Sequence, residues 1–404
     1  MSEKGFTRKT KGDLPVLAIC YDFDKTLSPD DMQAQGFIQA VGYENPKDFW
    51  SKTNAIAADN DMDQNLSWMY HMMTLSEGVA VFNRKTLADY GAKVQLFPGV
   101  ETWFDRINEF GRANNVIVEH YIISSGLKEM IEGTSIAQKG VFEKIYASSF
   151  YFNERGVAKW PAQVVNYTNK TQFLFRIQKG VLDVNDMGVN DSFAAEDIRV
   201  PFRNMVYIGD SDTDVPCMRL VNSFGGHSIG VYDPKAGAKE KVYKMLEQQR
   251  IKYFVPADYT ENSDLESLLK GIILKTAETE KLEELFYRCK KEVKDSKQQL
   301  HQRLEERHEQ DIQKQSLITS LLNSQSFAMT HTIIRQLAPV PKWSDAQKEE
   351  LCRAIENPQV GYIFTDDDVI EFYRKLILNT SADTEFIKAV REKLEGIDAQ
   401  ETFF

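Results

Sequence analysis

The 404-residue chain has few cysteines, no long apolar run and no excess of basic residues. Its four cysteines, Cys20, Cys217, Cys289 and Cys352, lie far apart and form no C-x-x-C pair, which argues against a disulfide framework and against a zinc site. No stretch approaches the roughly 20 consecutive apolar residues that a membrane-spanning helix needs. These absences predict a cytoplasmic protein without a membrane segment.

The charge balance disfavours nucleic acid as a main partner. The chain has 49 Lys+Arg residues against 60 Asp+Glu residues, for a formal net charge of -11. Binding to a nucleic acid duplex normally requires a basic surface that neutralises phosphates. The six histidines are scattered and do not indicate a metal site. At roughly 150 residues per domain, the length predicts two or three domains.

Three mostly apolar runs, at residues 14–22, 115–126 and 204–210, end in small polar or acidic residues. Helical patterns precede the second and the third run. Strands that alternate with helices predict an α/β fold with a doubly wound parallel sheet. Ligands of such sheets bind at the carboxyl ends of the strands, where these polar residues fall.

About ninety residues separate the first two predicted strands, which is too many for one crossover helix. We therefore predict a helical insert over residues 31–96. Within it, Met62, Leu66, Met69 and Met73 recur at helical spacing. This stripe either packs the core of the insert, which is the favoured interpretation, or faces a substrate. Whether the flank of this helix with Tyr70 and His71 faces a ligand is left open.

The chain changes character after residue 278. Apolar residues at near-heptad spacing begin at Leu282 but give way to polar ones after Leu300, which predicts a long solvated helix rather than a coiled coil. A further helix is predicted at Ser344, where Gln347 completes a capping box. Residues 279–404 are thus expected to form an all-helical C-terminal extension whose role the sequence does not indicate.

Acidic residues at two of the strand ends indicate chemistry. Asp22 and Asp24 emerge directly from the first strand, and two carboxylates this close suggest a divalent cation between or beside them. Asp210, Asp212 and Asp214 follow the third strand and add hard oxygen ligands of the kind that Mg²⁺ prefers.

The second strand end and a later lysine complete this pattern. Ser124, Ser125 and Gly126 form a turn between strand and helix that could hold an anion. Lys170, at the start of a helix, is the favoured cation to balance the charge of such an anion. Lys139 and Lys128 remain alternatives to it.

Taken in order, these motifs resemble those of the haloacid dehalogenase superfamily of phosphohydrolases. The resemblance covers residues 14 to about 275. It rests on DFDKT at 22–26, the strand ending at Ser124, the helix-opening Lys170 and GDSDTD at 209–214. It implies a phosphatase core at 12–30 and 97–278, with the insert at 31–96 as a helical cap. Phosphoserine-phosphatase-like members are the most similar in motif arrangement.

The resemblance also implies catalytic roles. Asp22 would attack phosphorus and form an aspartyl-phosphate. Asp24 would protonate the leaving oxygen and then activate water, and an acid at this position separates phosphatases from the dehalogenase branch. Lys170 would stabilise the charge of the transferring group.

The remaining site residues would bind the phosphoryl group or the metal. Thr26 would support the loop, and Ser124, with Ser125 and Gly126, would bind phosphoryl oxygens. Mg²⁺ would be held by Asp22, Asp24 through its carbonyl, Asp210 and Asp214. Asp212 could replace or join Asp214.

The predicted function is therefore a Mg²⁺-dependent phosphomonoester hydrolase that acts on a small phosphorylated metabolite. One alternative is a regulatory or partner-binding protein in which residues 279–404 dock a protein or a second copy and the phosphatase site serves as a sensor. Another is a phosphotransferase in which an alcohol replaces water as the acceptor.

Overall fold

A computed structural model describes the chain at residues 6–78, 82–237, 239–378, 380 and 382–401. The contacts divide it into two units, Met1–Tyr287 and Arg288–Phe404. The predicted boundary between residues 278 and 279 falls inside the first of these units. The domain limits drawn from the sequence remain predictions.

The first unit contains a seven-stranded sheet with the order β4-β3-β2-β1-β5-β6-β7. The strands are β1 Val16–Tyr21, β2 Ile117–Leu127, β3 Phe142–Phe152, β4 Ala158–Gln163, β5 Met205–Gly209, β6 His227–Tyr232 and β7 Tyr253–Pro256. All neighbouring pairs are parallel except β3 and β4, which are antiparallel. The predicted α/β class is thus confirmed, with an antiparallel edge strand that the sequence did not reveal.

Strand β1 lies at the centre of the sheet and is buried along its whole length. Its residues alternate between two apolar clusters, with Leu17 and Ile19 in one and Ala18 and Cys20 in the other. Both faces of the sheet are therefore covered, which is why this strand is apolar without interruption. Because β1 pairs in parallel with both β2 and β5, the carboxyl ends of these three strands lie side by side.

Helices surround the sheet in the order expected of a doubly wound fold. In the first unit they are α1 Phe37–Ala40, α2 Pro46–Asp59, α3 Gln64–Ser76, α4 Arg84–Gly91, α5 Val100–Ala113, α6 Lys128–Gly133, α7 Ser135–Gln138, α8 Thr171–Lys179, α9 Val215–Ser223 and α10 Glu240–Glu247. Trp103 and Ile107 of α5 belong to one apolar cluster, and Phe173 and Ile177 of α8 to the other. The two helices thus cover opposite faces of the sheet.

The insert between β1 and β2 contains α1 to α4. Helix α3 begins after Asp63, whose side chain caps the amides of Asn65 and Leu66. Met69 is fully buried in the apolar cluster, so this member of the methionine stripe packs a core as favoured from the sequence. Of the flank, Tyr70 is exposed, whereas the His71 Nε2 atom is buried 2.9 Å from the hydroxyl of Tyr43.

The long helix α11 Asp264–Leu322 begins in the first unit and ends in the second. Its near-heptad residues Leu282, Phe286, Val293 and Leu300 are exposed, in agreement with the predicted solvated helix. The sequence pattern did not reveal that this helix already begins at Asp264.

The second unit is helical. It contains the end of α11 followed by α12 Phe327–Leu337, α13 Asp345–Arg353, α14 Pro358–Gly361, α15 Asp367–Ile377 and α16 Glu385–Glu401. These helices share an apolar core of their own. Ser344 and Gln347 form the predicted capping box at the start of α13. Among the described residues, no helix has the length and apolar character needed to cross a bilayer.

Candidate active site

Four charged side chains meet at the carboxyl edge of the sheet. Asp22 follows β1, whereas Asp210 and Asp214 follow β5, and Lys170 immediately precedes α8. Lys170 Nζ lies 2.7 Å from Asp214 Oδ1 and 3.3 Å from Asp22 Oδ1. The parallel register of β1 and β5 places the acids together although about 190 residues separate them in sequence.

Lys170 is fully buried between two carboxylates. Burial alone would lower the pKa of this ammonium, but the neighbouring charges of Asp214 and Asp22 raise it above its ordinary value. The lysine therefore keeps its charge in the folded protein. A fixed cation next to a carboxylate is suited to bind an anionic group there.

The carboxylates of Asp22, Asp210 and Asp214 could hold a metal ion, because one oxygen from each lies within 4.8 Å of the others. Burial is the main cause that raises the pKa of Asp22, and the charge of Asp214 raises it further while Lys170 opposes the rise. Burial also raises the pKa of Asp210, although Lys241 acts in the opposite direction.

The donor set fits a hard divalent cation. Asp22 Oδ1 is buried and has no hydrogen-bond partner among the described residues, since the amine of Lys170 is close but not aligned with it. A bound cation would satisfy this oxygen and favour the ionised form of all three acids. The carbonyl of Asp24, which the resemblance implies as a further ligand, stays a prediction.

Asp24 lies in the loop after β1, apart from the three clustered acids. Its Oδ1 atom accepts a hydrogen bond of 2.8 Å from the amide of Met32. Burial raises the pKa of Asp24 well above its ordinary value, and the charges of Asp31 and Asp22 add to the rise. A raised pKa favours the protonated form of this carboxyl, and a protonated carboxyl can donate its proton during a reaction.

Ser124, Ser125 and Gly126 lie in the last part of β2, which runs to Leu127, and not in a turn as the sequence suggested. Gly126 allows this part of the strand to approach the Asp24 loop closely. A Cβ atom at residue 126 would lie 2.9 Å from Asp24 Oδ2 and 2.3 Å from Met32 Cε. Ser124 Oγ is buried and accepts a hydrogen bond of 3.0 Å from the amide of Gly126. The carbonyl of Ser125 accepts a hydrogen bond from Ser148. The three predicted anion-binding residues thus border the Asp24 loop.

The hydroxyl of Thr26 is buried without a hydrogen-bond partner among the described residues. Its carbonyl accepts a hydrogen bond of 2.8 Å from the hydroxyl of Tyr259, which ties the loop to the segment after β7. The preceding residue, Lys25, adopts a positive φ of 56° that is uncommon for a residue with a side chain. The loop after β1 is therefore held in a bent conformation.

The alternative residues lie elsewhere. Lys139 is exposed and pairs with Glu101 at 2.8 Å, and Lys128 pairs with Glu132 at 3.4 Å. Asp212 is exposed and pairs with Arg250 at 2.9 Å. Of the lysines and acids that the sequence left open, Lys170 and Asp214 belong to the buried cluster.

Two residues of this cluster were missed from the sequence. The hydroxyl of Tyr207 donates to Asp214 Oδ1 at 2.9 Å, and Lys241 Nζ lies 3.3 Å from Asp210 Oδ2. Tyr207 is an internal residue of a buried strand, so its pattern indicates only a core position. Lys241 lies on α10, and no motif marks it. In the sequence, the one feature that links Tyr207 to the site is its position three residues before Asp210.

A cavity of about 280 Å³ opens beside Asp24. The core contributes Asp24, Ser125 and Gly126 to its wall, and the insert contributes Asp31, Gln33, Trp50, Thr53, Asn54, Gln64, Asn65 and Trp68. The part of the wall that the insert contributes comes mainly from α2 and α3. A larger cavity of about 510 Å³ is lined by Lys11, Asn115 and Tyr287 among others and includes none of the predicted site residues.

Comparison with known proteins gives a family match over part of the chain. The family model of haloacid dehalogenase-like hydrolases matches residues 19–219, a segment that contains Asp22, Lys170 and Asp214. A protein of Borreliella burgdorferi, described as uncharacterized, is 25% identical over 275 residues, which cover 62% of this chain and 94% of that protein.

Solved structures with similar folds include a haloacid dehalogenase family hydrolase from Salmonella enterica serovar Typhi, with a TM-score of 0.40, 14% identity and coverage of 63% of this chain and 75% of that one. A probable phosphoserine phosphatase from Vibrio cholerae has a TM-score of 0.42 at 12% identity, with 66% of this chain and 69% of that chain covered. The matched segment and the motifs within it place residues 19–219 in the family of haloacid dehalogenase-like hydrolases.

Proposed function

We propose that the protein is a Mg²⁺-dependent phosphomonoester hydrolase in which Asp22 is the nucleophile. The observation that carries this proposal is the position of Asp22. Its carboxylate lies beside the buried ammonium of Lys170 and within a group of three acids that could hold a cation. A phosphoryl group bound there would meet a nucleophile and positive charge together, and most catalysis of phosphoryl transfer comes from such positioning and charge stabilisation.

The reaction has two steps. In the first, a carboxylate oxygen of Asp22 bonds to phosphorus while the bond from phosphorus to the ester oxygen breaks, and Asp24 gives its proton to that oxygen. In the second, a water oxygen bonds to phosphorus and the bond to Asp22 breaks, while Asp24 takes up a proton from the water. The products are an alcohol and inorganic phosphate, and both acids return to their starting forms.

The other residues of the site orient the phosphoryl group. Lys170 would neutralise negative charge on the transferring oxygens, because it stays charged between Asp214 and Asp22. Ser124 and Thr26 would offer hydroxyl hydrogen bonds, and the Thr26 hydroxyl has no other partner among the described residues. A divalent cation held by Asp22, Asp210 and Asp214 would supply additional electrostatic stabilisation.

The test compares Asp22→Asn with Asp212→Asn in the hydrolysis of an aryl phosphate. Both substitutions remove one carboxylate, but Asp212 is exposed and paired with Arg250 outside the cluster. We expect Asp22→Asn to lose about a thousandfold or more of kcat, and Asp212→Asn to stay near the original rate. Equal rates in the Asp22→Asn protein and the original protein would rule out the proposed nucleophile.

Metal dependence is tested by a measurement other than turnover. Mg²⁺ added to chelator-treated protein should raise the melting temperature, because a ligand that binds only the folded state stabilises it. Asp210→Asn should reduce this increase, since Asp210 is one of the three clustered acids. An equal increase in both proteins would show that Mg²⁺ does not bind at this cluster.

A further inference from the structure

The wall of the cavity beside Asp24 is acidic. None of its lining residues within the described chain is a lysine, an arginine or a histidine, and its acids are Asp24 and Asp31. Lys25 is paired with Asp31 at 2.9 Å and lines a neighbouring cavity instead. The wall of this cavity therefore carries no positive side chain of its own among the described residues.

This distribution bears on the part of the substrate that leaves with the ester oxygen. A carboxylate or a second phosphate on the leaving group would enter the cavity beside Asp31 and find no cation to pair with. Placing a charge there without a partner costs free energy to the extent that the charge gives up its hydration. A leaving group without charge avoids this cost.

The polar groups that the cavity does offer are side-chain amides. Gln33, Asn54 and Gln64 make no side-chain hydrogen bond to other residues in the described part of the chain, and Gln33 is only 2% exposed. By contrast, Asn65 is engaged, because it donates to the carbonyl of Val165 at 2.7 Å and accepts from Trp68 at 3.2 Å. Amides both donate and accept hydrogen bonds, so the three unengaged ones match hydroxyl or amide groups of a ligand.

Two tryptophans provide the apolar part of the wall. Trp50 comes from α2 and is half-buried, whereas Trp68 comes from α3 and is 5% exposed. The indole nitrogen of Trp68 is engaged with Asn65, which leaves its ring as an apolar surface. Large aromatic rings bind flat groups by contact and stacking. Amides together with tryptophans suit a ring that carries hydroxyl or amide groups.

We propose that the substrate is a monophosphate of an uncharged, hydroxyl-bearing ring compound, the chemistry shared by nucleoside and sugar monophosphates, and that monophosphates with a carboxylate on the leaving group, such as phosphoserine, are poor substrates. The assignment rests on the proposed phosphomonoesterase function. It adds which leaving groups the cavity accepts, and it identifies Trp50, Trp68 and the unengaged amides as specificity residues.

The charge component is tested with a matched pair of substrates. Glycerol 3-phosphate and 3-phosphoglycerate are similar in size. The first carries a hydroxymethyl group where the second carries a carboxylate. We expect kcat/KM for glycerol 3-phosphate to be higher by about tenfold or more, the factor that corresponds to one unpaired charged group. A rate for 3-phosphoglycerate equal to or above that for glycerol 3-phosphate would overturn the assignment of an uncharged leaving group.

The ring component is tested with a nucleoside 5′-monophosphate and a pyranose 6-phosphate, which separate the two sources of this chemistry. At least one of them should exceed glycerol 3-phosphate in kcat/KM. Trp50→Leu should raise KM for that ring substrate more than KM for glycerol 3-phosphate. Two ring substrates that are both poorer than glycerol 3-phosphate would contradict the stacking role.

A charge placed in the cavity provides a converse test. Gln64→Arg introduces a cation into the wall and should shift the ratio of kcat/KM values toward 3-phosphoglycerate by about tenfold. Thr74→Arg is the matched control, because Thr74 is exposed on the same helix and does not line the cavity. Equal ratios in the two arginine variants would contradict the assignment.

An aryl phosphate assay on the same preparations separates this inference from the function on which it rests. Turnover of the aryl phosphate together with a preference for 3-phosphoglycerate would overturn the substrate class and leave the phosphomonoesterase standing. Absence of turnover with the aryl phosphate and with every member of the panel would overturn both.

Discussion

Asp24 differs from Asp22 in its surroundings although only Phe23 separates them. Asp22 contacts Lys170, whereas Asp24 accepts a hydrogen bond from the amide of Met32 and faces the cavity. Burial raises the pKa of both acids; Lys170 opposes the rise at Asp22, whereas the Met32 amide and the charge of Lys25 oppose it at Asp24. These environments suit one acid to act as a nucleophile and the other to donate a proton.

A substitution of Asp24 should therefore affect substrates unequally. Asp24→Asn removes the proton donor, and an alkyl phosphate needs protonation of its leaving oxygen far more than a nitrophenyl phosphate does. We expect kcat to fall by about 10²- to 10⁴-fold for the alkyl ester and by clearly less for the nitrophenyl ester. Steady-state kinetics with both esters measures this difference. Equal losses would show that Asp24 does not act as the acid.

Glu129 is a buried acid outside the proposed reaction. Its Oε1 atom accepts a hydrogen bond of 3.3 Å from the amide of Phe150 and lies 3.9 Å from Arg84 Nη1, while Oε2 has no partner among the described residues. Burial raises the pKa of Glu129 to about 7. The folded protein thus holds a proton there at pH values where the unfolded chain has lost it.

This shift predicts a pH-dependent stability. Because the folded state binds more protons between the ordinary pKa of a glutamate and about 7, the free energy of unfolding should fall as pH rises through that range. Above about pH 7, the resulting loss in the free energy of unfolding reaches at most about 3 kcal/mol. Glu129→Gln cannot ionise, so its stability relative to the original protein should increase from pH 5 to pH 8 in urea unfolding. A relative stability that is the same at both pH values would contradict the assignment.

At the scale of elements, α4 of the insert packs directly on α6 of the core through glycines. A Cβ atom at Gly133 would lie 2.1 Å from the carbonyl oxygen of Ala88, and one at Gly91 would lie 1.9 Å from that of Met130. Backbone atoms cannot move aside as the end of a flexible side chain can. These two glycines therefore set the distance between the helices.

Gly133→Ala should lower the free energy of unfolding by about 1–3 kcal/mol, even though alanine favours helices more than glycine. Gly271→Ala is the control, since Gly271 lies in α11 with no atom within 4 Å of the added Cβ. It should leave stability unchanged or raise it by about 1 kcal/mol. Urea unfolding of the two variants measures the difference, and a Gly133→Ala protein as stable as the control would refute the close packing.

The elements that the sequence predicts well are those with a single strong pattern. Strand β1 is apolar throughout because both of its faces are covered, and α5 is amphipathic because one face packs on the sheet. Strand β4 was missed because its sequence, AKWPAQ, mixes a proline with exposed residues, as is common at a sheet edge. Its pairing with β3 depends on tertiary contacts.

In the candidate site, too, some residues follow from sequence motifs and others depend on tertiary packing. Asp22, Asp24, Asp210 and Lys170 could be selected because each lies at the end of an element and in a recognisable motif. Which of several lysines joins the acids depends on how α8 packs, and the cavity wall depends on how the insert folds over the core. Spacing along the chain carries neither kind of information, so Trp50 and the amide side chains of the cavity wall were not selected.

For the whole molecule, the two units each have an apolar core of their own. The first unit extends to Tyr287 and includes Glu280 and Glu283, which pair with Arg203 at 2.9 Å and 3.5 Å. The proposed chemistry uses residues of this unit alone. Removing the second unit can therefore test the alternative in which this unit binds a partner.

A protein of residues 1–287 should fold and hydrolyse an aryl phosphate within about twofold of the full-length rate, because a unit with its own core can fold alone. A protein of residues 1–278 lacks both carboxylates that pair with Arg203 and should melt at a lower temperature. Circular dichroism and phosphate release check both proteins. Loss of folding in the 1–287 protein would make the second unit a structural requirement and would contradict its independence.

The central claim is that Asp22 becomes phosphorylated during turnover. The direct measurement is to quench the protein with acid during reaction with an aryl phosphate, reduce it with borohydride and sequence the peptide that contains residue 22. An aspartyl-phosphate is reduced to homoserine, so we expect homoserine at residue 22, and none when the substrate is omitted or when Asp22→Asn is used. Active protein that yields unmodified aspartate at residue 22, or homoserine at another aspartate, would contradict the proposed mechanism.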